Sequence, residues 1–227
     1  MGIHLAKIEQ NLQLIEQKIQ QAKNRSHTQQ DVQIIAVTKE VDVTRTQEAI
    51  DAGLVHLGEN RPEGLQSKID VIEEKVSWHY IGSLQTRKVK QVINHIDYLH
   101  SLDRLSLAEE VEKRADRKVK CFVQANVSGE ESKHGLATDD VIQFIEQLAN
   151  FSKIEVVGLM TMAPNTEDEN VIRTVFKNLK QLQQKIVALK LPYAPCTELS
   201  MGMSNDFEIA VEEGATFVRI GTALVGV

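Results

Sequence analysis

Lys39 closes a short apolar run, Ile34-Ile35-Ala36-Val37-Thr38-Lys39, and carries the sharpest chemical potential in the chain. An ammonium that emerges from the end of such a strand meets a rim where water is partly excluded. Desolvation disfavours the charged form, and the neutral amine is the nucleophile that condenses with a carbonyl to give a Schiff base. The ordinary alternative is a strand-end lysine reaching into solvent, since lysines are rarely buried. The far end of the chain weighs against that alternative. There, residues 199–208 read LSMGMSNDFE and span a strand–helix junction that carries Ser200 and Ser204, with Asn205 and Glu208 at the spacing of a helix N-cap pair. Free N–H groups and the helix dipole make such a junction an anion site. Val218-Arg219-Ile220-Gly221-Thr222 adds a guanidinium, a glycine and a hydroxyl at the end of the next apolar run, and Gly202 and Gly221 let backbone approach an anion closely.

Eight short runs bring these residues into one frame: 34–39, 56–60, 78–83, 98–103, 120–126, 156–162, 198–202 and 217–221. They are rich in apolar and β-branched residues without polar alternation, which suits strands buried on both faces. Helical spacing fills the stretches between them, as in 44–53, which opens on a capping Thr44 and closes on Gly53, and in 104–117, 138–150 and 168–190. Strand and helix alternating this regularly predict a parallel sheet, and eight strands in 227 residues predict a single closed (β/α)8 barrel, of the TIM type, rather than an open doubly wound sheet. Few residues follow the last strand, and the N-terminal amphipathic helix over residues 1–23 (Leu5, Ile8, Leu12, Ile15, Ile19) is expected to cover the gap.

Barrels bind ligands at the C-terminal ends of their strands, and the loops after strands seven and eight are the usual phosphate position. Those ends are polar here: Thr38-Lys39, Glu59-Asn60, Ser83, Asp103, Asn126, Thr161, Ser200 to Ser204, and Arg219 to Thr222. A carbonyl-seeking lysine on strand one, facing a phosphate cradle on strands seven and eight, describes pyridoxal 5′-phosphate (PLP). Arg219 would then address the pyridine nitrogen and keep it unprotonated.

Composition excludes several other classes. A net charge of −6 argues against a general nucleic-acid binder. Two cysteines, Cys121 and Cys196, exclude a disulfide scaffold and a cysteine-based zinc site. No apolar run reaches membrane-span length and no signal-peptide core opens the chain, so a cytoplasmic protein without a membrane partner is expected. The seven histidines form no metal-binding helical motif, and His79, inside a strand, reads as a packed, hydrogen-bonded residue.

The segments AVTK, LGEN, WHYIGSLQTRKVK, VQANVSGEESKHG, GLMTM, LSMGMSNDFEIA and VRIGTA, in order over residues 34–226, resemble the pyridoxal phosphate homeostasis proteins, relatives of the N-terminal barrel of alanine racemase. The resemblance implies a fold-type III PLP-binding barrel in which Lys39 holds the cofactor covalently, while Asn60, Ser200, Ser204, Arg219, Gly221 and Thr222 line it. It also allows Lys133 a role at the rim. Two positions depart from the pattern: Arg61-Pro62 follow LGEN, and Arg87 stands where Asn is common.

Three activities fit these residues: PLP homeostasis or carriage without robust turnover, a PLP-dependent racemase, and a cofactor-free lysine aldolase. Racemisation needs two positioned acid/base groups. In alanine racemase the resemblance assigns one of them to a tyrosine of a second domain, and Tyr80, Tyr98 and Tyr193 offer no evident substitute. The expectation is a non-enzymatic, monomeric PLP carrier with transient protein partners such as apo-enzymes.

Overall fold

The computed structural model describes residues 2–130 and 134–226, with side chains from residue 7 onward. Lys133 therefore lies outside the described residues. Among the described residues nine strands form: β1 (Gln33–Val37), β2 (His56–Glu59), β3 (Ser77–Tyr80), β4 (Tyr98–Leu102), β5 (Val119–Asn126), β6 (Leu136–Ala137), β7 (Ile154–Met160), β8 (Glu198–Met203) and β9 (Phe217–Ile220). All pair in parallel, in the order β4-β3-β2-β1-β9-β8-β7-β5, and the further pairing of β4 with β5 closes the barrel. Its eight strands are the eight read from the sequence. The unexpected ninth, β6, is a two-residue addition beside Ala125 and Asn126.

Alternation along the strands, interrupted on β7 by a register shift against β5 at Val157, sorts the side chains into two layers. Inward-facing Ile35, Phe122, Val157, Met160 and Phe217 form a small inner cluster with Tyr98. Their outward neighbours, among them Ala36, Leu57, Leu99, Cys121, Leu199 and Val218, pack against the helices in a much larger core. The inside of the barrel also takes polar groups, and His79, His100, Ser200 and Arg219 are all buried there. Burial pushes the thiols of Cys121 and Cys196 up, the latter to about 12, so both are inert filling rather than nucleophiles.

The helices are α1 (Gly2–Ser26), α2 (Val43–Asp51), α3 (Pro62–Ile69), α4 (Val89–Val92), α5 (Leu105–Arg114), α6 (Val141–Gln147), α7 (Glu169–Ala188), α8 (Phe207–Glu212) and α9 (Thr222–Val225). As expected, α1 covers the gap left by the short α9: it packs on α2, α8 and α9, buries Ile8, Ile15 and Ile19, and donates from Asn11 Nδ2 to the Leu224 carbonyl at 3.0 Å.

Two caps differ from expectation. Asp42, not Thr44, caps α2, because its carboxylate accepts from the Arg45 N–H at 2.8 Å and places Thr44 inside the first turn. Asn205 and Glu208 form no cap pair. Asp206 takes the position before α8, while Glu208 turns outward to Lys18 at 3.2 Å and Arg25 at 3.1 Å. The helix expected over 104–117 ends at Arg114, where Ala115 adopts extended backbone.

Candidate functional site

A cavity of about 540 Å³ opens at the C-terminal ends of the strands. Lys39, Asn60, Ser204, Arg219, Gly221 and Thr222 all line it, so residues separated by as many as 183 positions are brought to one wall. Lys39 does not sit in the dry environment expected of it. β1 ends at Val37, and Thr38 takes the buried position, which leaves Lys39 exposed in the turn after it. Thr38 is held firmly: its hydroxyl donates to Glu59 Oε1 at 2.5 Å, and its carbonyl accepts from Lys68 Nζ at 2.5 Å. Glu59 and Lys68 form a buried ion pair beneath the loop.

Arg219 is 4% exposed and reaches the cavity from inside the barrel. Its Nη1 donates to Ser200 Oγ at 2.5 Å and its Nη2 to the Thr161 carbonyl at 3.0 Å. Both acceptors are neutral, and burial pulls the guanidinium pKa down to about 10 although Asp206 works in the opposite direction. A buried cation held by neutral groups and facing a cavity is an electrophilic anchor for an electron-rich ligand atom. Burial likewise pushes the Asp206 carboxyl up, against the Met203 N–H at 2.6 Å and Arg219, which pull it down.

Ser200 is not brought to the cavity wall. It is fully buried one layer beneath, its hydroxyl between Arg219 and His100, because alternation along β8 turns it into the barrel. Ser204, in the loop after β8, and Thr222, at the start of α9, do reach the cavity. Asn205 and Asp206, which lead into α8, and Gly221, which leads into α9, line it as well. Gly202, with φ +94°, serves packing: a Cβ there would stand 2.5 Å from Ala210 Cβ. Gly82 serves the site itself. A Cβ on it would stand 2.7 Å from the Asn60 carbonyl oxygen, so only glycine lets the loop after β3 lie against Asn60.

Other polar strand ends divide. Ser83 lines the cavity, whereas Asp103 pairs with Arg104 at 2.7 Å and Asn126 closes its own loop by donating to the Glu130 carbonyl at 2.8 Å. Pro62 begins α3, and Arg87 is held by Gln85 at 3.0 Å, so neither departure from the family pattern touches the cavity. Gln124, Met162 and Thr166 also line it and were not singled out from the sequence. Gln124 is legible in hindsight as a polar inward position on β5. Met162 and Thr166 belong to an irregular loop with no periodic signal.

The family described as "Alanine racemase, N-terminal domain" matches residues 3–227. The pyridoxal phosphate homeostasis protein of Aquifex aeolicus (strain VF5) is 36% identical over 225 residues, covering 96% of each chain. Among solved structures, a protein of unknown function from Bifidobacterium adolescentis superposes with a TM-score of 0.92 at 32% identity, covering 99% of this chain and 96% of that one. PipY of Synechococcus elongatus PCC7942, solved with PLP bound, superposes with a TM-score of 0.81 at 31% identity, covering 96% of this chain and all of that one. The chain belongs to the alanine racemase N-terminal-domain family and, within it, to the pyridoxal phosphate homeostasis proteins.

Proposed function

We propose that this protein binds pyridoxal 5′-phosphate in the cavity at the C-terminal rim of its barrel and serves intracellular PLP homeostasis. The observation that carries this reading is the meeting of Lys39 with Arg219, Ser204 and Thr222 in one cavity. The residues fit the group. A volume of about 540 Å³ lies within the range of small-molecule sites, and its wall offers a primary amine, a guanidinium and hydroxyl donors. The bound cofactor supplies an aldehyde open to condensation with an amine, a ring nitrogen and a phosphate.

This chain's own residues divide the work of holding those groups. Lys39 offers the amine, and its turn is fixed because Thr38 is bound to Glu59 and Lys68. Ser204 and Thr222 offer hydroxyl donors to a phosphate. Arg219 offers its remaining N–H groups to the ring nitrogen, after two donors are spent on Ser200 and Thr161. A fixed cation there disfavours protonation of that nitrogen, so carbanion chemistry on the ring is weakly supported. Asn60 braces the wall against Gly82.

The non-catalytic reading rests on the same cavity. A racemase needs a second acid/base group opposite the lysine. None of Tyr80, Tyr98 and Tyr193 lines the cavity, and Lys39 is exposed rather than enclosed. An open rim lets cofactor come and go and leaves a substrate wet and loosely held. We assign the protein a carrier role as a cytoplasmic monomer that exchanges PLP with apo-enzymes by transient contact. Among the described residues, no helix is long and apolar enough to cross a membrane. The test is a PLP titration of wild type and Lys39→Ala, followed by alanine in deuterated water. The expected result is cofactor binding that depends on Lys39, without deuterium appearing at the alanine α-carbon at enzymatic rates. Rapid exchange would make the protein an enzyme instead.

A further inference from the structure

Four strands contribute one polar side chain each to a file through the barrel interior. His56 Nδ1 lies 2.9 Å from His79 Nε2, His79 Nδ1 lies 2.8 Å from His100 Nε2, and His100 Nδ1 lies 2.9 Å from Ser200 Oγ. Ser200 Oγ in turn accepts from Arg219, which reaches the cavity. His79 and His100 are fully buried, while His56 is half-buried beside Gln33 and Val55, at the opposite end of the barrel. The file thus spans the barrel from its far mouth to the floor of the site.

Its direction follows from one obligate donor. A guanidinium has no acceptor, so Arg219 gives its hydrogen to Ser200. The Ser200 hydroxyl is then left to donate to His100 Nδ1. A neutral His100 with Nδ1 accepting carries its hydrogen on Nε2 and gives it to His79 Nδ1, and His79 repeats the pattern toward His56. Every buried ring nitrogen in the file is satisfied only if all three imidazoles are neutral Nε2–H tautomers. Stacking holds the rings in this register: His79 lies parallel to Tyr98 at 4.3 Å and 1°, and His100 lies on Phe122 at 4.3 Å and 22°. Burial keeps His79 and His100 neutral. The Arg219 charge acts in the same sense on His100, as do His100, His56 and Lys120 on His79; burial also pulls His56 below its ordinary value, with Lys120 acting in the same sense and Asp97 favouring its charged form.

We propose that His100, His79 and His56 are positioning residues for Arg219, and that protonation at His56 reverses the file and loosens Arg219 from Ser200. With an extra proton on His56 Nδ1, two N–H groups face each other across the contact with His79 Nε2, and this is relieved when His79 and then His100 exchange their Nε2–H for Nδ1–H tautomers, so that His100 Nδ1 donates to Ser200. That hydroxyl oxygen then accepts twice, and its own hydrogen loses its partner. The net change is one proton gained at His56: His79 and His100 each give up the hydrogen on Nε2 and take one on Nδ1, so both stay neutral, and Ser200 keeps its own hydrogen. The proposal rests on the assignment of Arg219 to the PLP site.

Two measurements test it. The first uses ¹⁵N-labelled histidine in the cofactor-free protein near pH 7.5 (about one unit above the ordinary imidazole pKa). The expected spectrum shows His79 and His100 neutral with hydrogen on Nε2; hydrogen on Nδ1, or a cationic ring, in either residue overturns the direction of the file. The second follows the visible band of the PLP-loaded protein between about pH 5 and 8. Wild type is expected to shift with one midpoint, and His79→Phe, which keeps the stack on Tyr98, to lose that midpoint and bind PLP about tenfold more weakly while remaining trappable on Lys39. His56→Gln, at the half-exposed end, removes the same midpoint if His79→Phe fails to fold. An unchanged pH profile in the folded variants overturns the proposal alone, whereas no band in wild type overturns the PLP reading with it.

Discussion

Lys68 Nζ on α3 donates to the carbonyl oxygen of Thr38 at 2.5 Å, so a buried cation holds the residue immediately before Lys39. The same ammonium pairs with Glu59, whose carboxylate also accepts from the Thr38 hydroxyl and which directly precedes Asn60. One ion pair therefore fixes the backbone at two points of the cavity wall.

Removing one partner of that pair leaves the other as an uncompensated buried charge. Lys68→Met is expected to lower unfolding free energy by about 3–5 kcal/mol in urea denaturation. Adding Glu59→Gln to it should recover part of the loss, because the stranded charge is gone. Equal stability of wild type and Lys68→Met would contradict the arrangement.

Arg219→Lys keeps the charge but not the fork that serves Ser200 and Thr161 together. One of those acceptors is left unpaired, which costs about 1–3 kcal/mol of stability. PLP affinity, read from the visible band, should fall about tenfold. Wild-type affinity in this variant would remove Arg219 from the site.

Gly202→Ala tests whether that glycine serves packing. Its φ of +94° strains any L side chain, and the new Cβ would meet Ala210 Cβ at 2.5 Å. Left-handed strain and overpacking together are expected to cost about 2–4 kcal/mol, visible as a lowered melting temperature. A neutral effect would mean that the loop after β8 relaxes freely.

The buried imidazoles set an acid limit to stability. Folding holds His79 and His100 well below their ordinary value of 6.5, chiefly by burial. The unfolded chain takes up protons that the folded chain refuses, so stability is complete above about pH 6.5 and is lost as pH falls below it. Each group contributes up to about 1.4 kcal/mol per pH unit in that range, above the region where carboxylates titrate. His79→Phe should show a shallower loss than wild type between about pH 6.5 and 5 in denaturant midpoints. An equally steep loss would mean that His79 does not titrate on unfolding.

Much of this was readable before any coordinates. Eight apolar runs separated by helical spacing specify the barrel, because parallel strands covered on both faces need continuous apolar runs and crossover helices. Lys39, Ser204, Arg219, Gly221 and Thr222 stand beside strand ends, and barrel closure brings them together without further information. What stayed hidden depends on side-chain direction. Ser200 and Ser204 are equivalent as letters, yet alternation sends the first into the barrel and leaves the second in the loop. His56, His79 and His100 occur on three strands at no motif spacing, and only the register of those strands aligns them. The Glu59–Lys68 pair crosses from a strand to the next helix, nine residues on, a separation that carries no periodic signal.

The most direct test is borohydride reduction of the purified protein after incubation with PLP, with peptide mass mapping of the product. The expected result is a visible band that reduction abolishes, with the cofactor's mass fixed on Lys39 and absent from Lys39→Ala. A protein that shows no band with PLP present, or that carries the label on another lysine, would contradict the central claim and leave Lys39 an ordinary lysine at the end of a strand.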